Sequence, residues 1–292
     1  MKFKLRNLVW WFMLRIRWIL FGICFLESSS LSPTHGVAMA MSHNISFGPS
    51  SDDFFSNFDI SIVPSGEGYS GAKASLDSDK TVWLTPNPNT SPNLNRSATR
   101  VVSKQPVQFL DNSGAIVSFH TSFSFQIITQ SNESGEGMAF FIAQDKTFPH
   151  SSAGAYLGLS NGTLMENTSF PGHKFFAVEF DISQSPQFDD PSSSHVGIDI
   201  NSLRSIKTTD TSGENNELSL HRNSRFQAWI TFNASTNMVQ VWLMNYGNMS
   251  TYANSLDRTP ESLILQSSID PSVFNDTSMW VGITATTGSI DI

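Results

Sequence analysis

The chain has 292 residues, a formal net charge of −8 and a charged fraction of only 14%. That acid excess excludes a nucleic-acid partner, which needs clustered lysine and arginine to meet phosphates. The 39% apolar content and 23 phenylalanines can fill one large core, and the polar remainder is rich in Ser, Thr and Asn, as in a secreted β protein rather than a cytosolic helical enzyme.

Residues 1–40 read as a signal peptide or another N-terminal targeting segment. Lys2, Lys4, Arg6, Arg15 and Arg17 precede an apolar run from Trp18 to Leu26, and Ala38-Met39-Ala40 offers a small-x-small cleavage site. Arg15 and Arg17 interrupt the stretch from Leu8 to Leu26 and weaken it as a membrane span. A retained N-terminal membrane anchor stays open as the alternative. Cys24, the only cysteine, lies in this segment, so the remainder has neither a disulfide nor a thiolate site. Asn-x-Ser/Thr sequons at Asn44, Asn89, Asn95, Asn132, Asn161, Asn167, Asn233, Asn248 and Asn275 join the leader in favouring a secreted glycoprotein.

Residues 41–292 contain no linker, heptad pattern or repeat and read as one domain. The clearest strand is expected over Ala115 to Ile128, where Val117, Phe119, Phe123, Phe125 and Ile127 share one face and Ser118, His120, Ser122, Ser124 and Gln126 the other. A loop from Ser131 to Gly137 follows, with Gly135 and Gly137 around Glu136; glycine there signals an unusual backbone, a close ligand or an ordinary turn. Met138 to Ala143 and Met279 to Ala285 are short apolar runs suited to strands inside a sandwich. Ala228 to Phe232 and Met238 to Leu243 form a hairpin through the turn Asn233 to Asn237. Stretches rich in Pro, Asn and Ser (Thr85 to Asn95, Ser183 to Ser194) read as loops. With no sustained period of 3.6, the pattern predicts an all-β domain of two packed sheets.

The segment from Phe175 to Ser202, FFAVEFDISQSPQFDDPSSSHVGIDINS, carries the chemistry. Phe176, Val178 and Phe180 alternate with Ala177, Glu179 and Asp181, so both acids share one strand face. Val196, Ile198 and Ile200 alternate with His195, Gly197 and Asp199 on the next strand. Pairing as a hairpin sets the imidazole opposite the carboxylates, and the intervening loop brings Asp190 to the same place. Three carboxylates and an imidazole suit Mn²⁺ or a similar transition ion, with spare oxygens for a neighbouring Ca²⁺. On spacing alone, a solvated acidic hairpin with an idle histidine stays open.

The same segment, extended to Thr208, resembles the metal-binding hairpin of legume-type (L-type) lectins. Other motifs agree in order: Asn44-Ile45-Ser46-Phe47, Gly137-Met138-Ala139-Phe140-Phe141-Ile142-Ala143, Tyr156-Leu157-Gly158-Leu159 and Trp280-Val281-Gly282. The resemblance implies a concanavalin-like jelly-roll sandwich of two antiparallel sheets that binds sugars with the help of Mn²⁺ and Ca²⁺. Because the chain stops at Ile292, just past Thr286-Thr287-Gly288-Ser289, the expected fold lacks the last family strand.

Carried over, Glu179, Asp181, Asp190 and His195 match the transition-metal ligands. Asp181 and Asp190 would bridge to calcium, the Ser183 carbonyl and Ser185 fall at further calcium positions, and Ser205 at a residue that helps hold a metal-bound water. The sugar-contact positions are Glu136, Ala155 and Ser185, where the family usually has Asp, Gly and Asn. Ser183 also stands where the family presents an aromatic ring, leaving Phe188 and Tyr156 as candidates for stacking.

The resemblance implies a non-catalytic, secreted module whose partners are glycans or glycoproteins, with a homodimer through the back sheet and a receptor context in a longer chain as further expectations. Plant receptor kinases carry similar domains. Two alternatives stand beside it. One is a degenerate lectin fold that binds a protein or hydrophobic ligand, motivated by positions 136, 155 and 185. The other is a glycoside hydrolase: Glu179-Phe180-Asp181-Ile182-Ser183 resembles half of the Glu-x-Asp-x-Glu of some β-glucanases, but Ser183 stands where the second glutamate belongs.

Overall fold

The computed structural model describes residues 42–46, 58–62, 75–76, 82–85, 98–128, 135–147, 149, 151–161, 173–213, 215–247 and 258–287. The targeting segment and most of the Thr85 to Asn95 loop lie outside them. The regular elements among these residues are strands and short 3₁₀ turns: β1 (Ser42–Ser46), β2 (Phe58–Ile62), β3 (Ser75–Leu76), β4 (Val82–Trp83), β5 (Ala98–Ser103), β6 (Ser118–Gln126), β7 (Gly135–Ala143), β8 (Phe175–Asp181), β9 (His195–Ile200), β10 (Lys207–Asp210), β11 (Arg225–Asn233), β12 (Met238–Gly247), β13 (Leu263–Ser268) and β14 (Trp280–Thr287).

A five-stranded sheet runs β1-β6-β11-β12-β13 and a seven-stranded sheet runs β10-β9-β8-β7-β14-β5-β2, with β3 and β4 as a separate pair. All sheet pairings are antiparallel except that of β1 with β6, which is parallel from Ser42↔Ser118 to Ser46↔Ser122. The two-residue alternation read from the sequence is what packs the sandwich. Phe119 and Phe123 of β6 are buried while His120 and Ser124 are exposed, and β11 buries Phe226, Ala228, Ile230 and Phe232 in turn.

Across the interface, Phe119 meets Phe176 with ring centroids 6.0 Å apart, and Phe125 meets Phe180 at 4.8 Å. Edge-on and tilted ring pairs of this kind add to area burial. The other face of the seven-stranded sheet is also covered. Ala139, Phe141, Phe175 and Ala177 pack there against Leu157, Leu159, Phe188 and Leu203 from the loops. Glu179, Asp181 and His195 lie on this loop-covered face, next to an apolar floor.

The loop expected over Ser131 to Gly137 is shorter than its sequence suggests. Gly135, Glu136 and Gly137 already belong to β7. Gly137 has φ 138°, and a Cβ built there would lie 2.4 Å from the Phe180 carbonyl oxygen, so its glycine serves backbone against backbone.

Candidate metal centre

Strand register assembles the cluster. Asp181 pairs directly with His195, and Glu179 pairs with Gly197. Because the residue opposite Glu179 is glycine, room remains for its carboxylate: a Cβ at Gly197 would lie 2.0 Å from Ser205 Oγ and 2.3 Å from Glu179 Oε1. One donor atom each from Glu179, Asp181 and His195 lies within 4.8 Å of the others, and all three residues are buried.

The imidazole orientation follows from its outer partner. His195 Nδ1 lies 3.0 Å from the Ser192 carbonyl, which can only accept, so Nδ1 carries the proton in the neutral ring. Nε2 then points a lone pair inward, 3.3 Å from Glu179 Oε1 and 3.7 Å from Asp190 Oδ1. The nearer contact lacks hydrogen-bond geometry, and this fully buried nitrogen has no hydrogen-bond partner. A carbonyl that accepts from Nδ1, with Nε2 facing carboxylates and bare once the ring is neutral, is how a metal-binding histidine is held.

The loop between β8 and β9 closes over the acids through its own amides. Ser183 N–H donates to Asp181 Oδ1 at 2.6 Å, and Ser185 N–H donates to Asp190 Oδ2 at 2.7 Å. A 3₁₀ turn over Pro186–Phe188 then returns the chain to Asp190. Outside it, Arg204 Nη1 reaches Asp189 Oδ2 at 3.0 Å and Nη2 reaches the Gln187 carbonyl at 3.2 Å.

Electrostatically the cluster is acidic, and His195 is the one group in it that can carry positive charge. No lysine or arginine among the described residues forms an ion pair with Glu179, Asp181, Asp190 or Asp199. Burial, then the charge of Glu179, pushes the Asp181 carboxyl up to about 8. Burial also raises Asp190, against the opposing Ser185 amide and His195. For His195, burial pulls the ring down, but Glu179, Asp181 and Asp190 outweigh it and raise it to about 9. Without an ion the cluster therefore retains protons at neutral pH that solvated groups would not.

The fourth buried acid is one that spacing did not single out. Asp199 is fully buried, and Ser205 Oγ lies 2.7 Å from its Oδ1 and 2.8 Å from Glu179 Oε1. One hydroxyl proton faces two carboxylates. Ser205 therefore shares its proton between the two acids, and burial and Glu179 hold the Asp199 carboxyl well above the usual carboxylate range. The signal was present in the sequence: Asp199 shares a strand face with His195 and Gly197.

The donors fit a divalent ion. A hard set of carboxylates with one imidazole suits a transition ion such as Mn²⁺. Calcium needs six to eight oxygens, and Ser185 offers a shorter ligand than an amide side chain.

The residues expected to meet a sugar are brought to the same rim. Glu136 is partly buried at the start of β7, its backbone carbonyl accepting from Ile182 N–H at 2.9 Å. Burial raises its carboxyl, the neighbouring Ser183 side chain opposes that shift, and the Asp190 charge adds to it. Ala155 sits in the 3₁₀ turn Gly154–Tyr156, half-buried against the second core. Tyr156 meets Phe188 of the metal loop edge-on at 5.8 Å. Phe188 is only 7% exposed, so it is part of that floor and not a stacking platform, contrary to the expectation from sequence.

Comparison with known proteins agrees with this geometry. A profile of the legume lectin domain matches residues 54–292. The L-type lectin-domain containing receptor kinase V.9 of Arabidopsis thaliana is 35% identical over 199 residues, covering 65% of this chain and 28% of the kinase. This chain thus spans under a third of that relative. The bark lectin of Styphnolobium japonicum is 33% identical over 194 residues, covering 66% of this chain and 63% of the lectin. Among solved structures, the metal-free form of lectin I-B4 from Griffonia simplicifolia superposes with a TM-score of 0.63 at 27% identity, covering 83% of this chain and 90% of that one.

Proposed function

We propose a metal-stabilised, non-catalytic glycan-binding module, from the premise that this chain belongs to the legume lectin domain family. The observation that carries the proposal is the buried, unpartnered Nε2 of His195 turned toward Glu179 and Asp190 beside Asp181. Glu179, Asp181, Asp190 and His195 would hold a transition ion such as Mn²⁺. The remaining oxygens of Asp181 and Asp190, the Ser183 carbonyl and Ser185 would hold Ca²⁺. Bound, the ions would neutralise the acids and fix the loop 183–194, so that Glu136 and Ser185 are ordered before a sugar arrives. The domain would be residues 41–292, delivered outside the cell by the leader at 1–40, and the homology to receptor kinases favours a receptor context in a longer chain.

The test is metal analysis of the purified domain together with a glycan array run with Mn²⁺ and Ca²⁺ and again in excess EDTA. Metal-dependent binding to defined glycans is expected. Binding that survives EDTA undiminished would refute the role of the clamp.

A second reading is favoured by the partial burial of Glu136, which raises its carboxyl and makes it a poorer charged acceptor for sugar hydroxyls. In that reading the clamp persists under a surface that has dropped monosaccharides in favour of a protein or hydrophobic ligand. A blank wild-type array, with binding restored by Ser185→Asn, would favour it.

A further inference from the structure

The glycan-facing turn at Ala155 has a support that owes nothing to the metal. Arg100 lies on β5, on the loop-covered face, and is 2% exposed. Its Nη1 donates to the Thr147 carbonyl at 2.8 Å and the Asp145 carbonyl at 3.3 Å, and its Nη2 to the Gly158 carbonyl at 2.6 Å. The guanidinium carbon stands 4.3 Å above the Phe141 ring centroid. One rigid fork thus binds the carbonyls of residues 145 and 147 on one side and 158 on the other side of the turn that carries Ala155.

That segment needs holding. Ser151, Gly154, Leu157 and Gly158 have φ of 59°, 69°, 50° and 68°, all in the left-handed region. Non-glycine residues persist there only where surroundings over-determine them. Leu157 does so while 1% exposed, its side chain in the second core. Within the turn, Gly158 N–H donates to the Ser152 carbonyl at 2.7 Å and Leu157 N–H to the Gly154 carbonyl at 2.9 Å. Thr286 adds one hydroxyl bond to the Gly154 carbonyl at 2.9 Å. Toward the metal loop, Tyr156 meets Phe188 edge-on, and both belong to the apolar packing that also takes Leu157 and Leu159.

We propose that Arg100 is a positioning residue: by binding carbonyls at both ends of segment 145–158 it keeps the Ala155 turn in its strained shape whether or not the metal site is filled. Its bearing on sugar binding rests on the function proposed above; its hold on the turn does not. Lysine cannot substitute, because a compact ammonium cannot reach carbonyls on two separate strands of the loop while lying flat on a ring.

Hydrogen exchange on the whole chain tests this, reading the peptide 152–159 against the core peptide 176–182 and the metal loop 183–194. In wild type stripped with EDTA, exchange is expected to rise in 183–194 and to stay within about twofold in 152–159. In Arg100→Lys and Arg100→Met, exchange in 152–159 is expected to rise roughly tenfold or more, with 176–182 and the Mn²⁺ affinity each within about twofold of wild type. Equal loosening of both loops on stripping, or variants that expose the core peptide as much as the turn, would overturn the assignment. On the glycan array, Arg100→Lys is expected to lose signal while retaining metal. A wild-type array that is blank throughout refutes the functional reading alone, and the exchange data still decide the role of Arg100.

Discussion

Removing the ion should invert the pH dependence of stability. In the metal-free protein, burial and the Glu179 charge hold the Asp181 carboxyl up at about 8 instead of the ordinary 3.8. A carboxyl raised on folding keeps a proton that the unfolded chain has released, so it lowers stability as pH climbs from about 4 toward 8. His195, raised to about 9 from 6.5, acts in the same direction: its stabilising charge is complete below about pH 6.5 and is lost as pH rises through about 9. Each retained proton is worth up to about 1.4 kcal/mol per pH unit. Over the two units from about pH 5.5 to 7.5, Asp181 alone then removes at most about 3 kcal/mol, which corresponds to at most roughly 6–12 °C of Tm for a domain of this size. The groups are coupled, so their contributions are not summed.

With Mn²⁺ present the trend reverses. The ion requires deprotonated carboxylates and a neutral imidazole, so its stabilisation fades on acidification. At about a hundredfold excess over Kd it adds about 2.7 kcal/mol near neutrality. Thermal unfolding of stripped and Mn²⁺-loaded protein at both pH values is the assay. The Tm of stripped protein should rise on acidification while the Mn²⁺ increment shrinks. Stripped protein that is more stable at about pH 7.5, or an Mn²⁺ increment equal at both pH values, would refute the buried-acid account.

Three further outcomes are expected. Gly197→Ala places a Cβ against Glu179 and Ser205, and isothermal titration should show Mn²⁺ affinity down at least about tenfold while the fold is retained. Ser205→Ala breaks the chain from Asp199 to Glu179, and a loss of roughly 10- to 100-fold in Mn²⁺ affinity is expected by the same titration; unchanged affinity would remove Ser205 from the site. Phe176→Ala opens a cavity at the meeting of the sheets, where its ring touches Phe119, Phe140 and Phe274, and should cost about 3–5 kcal/mol in chemical denaturation.

The alternation of large apolar and polar residues made β6, β8, β9, β11 and β12 legible, because a half-buried strand repeats every two residues. Glu179, Asp181 and His195 could be placed together for the same reason: a hairpin register fixes which side chains face each other. Alternation is silent on which strands are neighbours across long separations. Nothing in it set β7 between β8 and β14, or β1 parallel to β6. Arg100 was invisible for a related reason. Its partners are backbone carbonyls 45 to 58 residues away, and carbonyls carry no sequence signature. The sequence offers Phe188 and Tyr156 as stacking candidates but is silent on depth, and the 3₁₀ turn packs the Phe188 ring into the apolar floor.

The amides of Ser183 and Ser185 that cover Asp181 and Asp190 also govern time. Because His195 is fully buried beneath this segment, exchange of an ion there is expected to follow how often the segment moves aside as well as how strongly the ligands pull. The outer fastening from Arg204 to Asp189 is exposed on both sides, at 61% and 70%, and is therefore open to screening by salt. Ionic strength should thus accelerate loading and release together while leaving the balance between them nearly untouched.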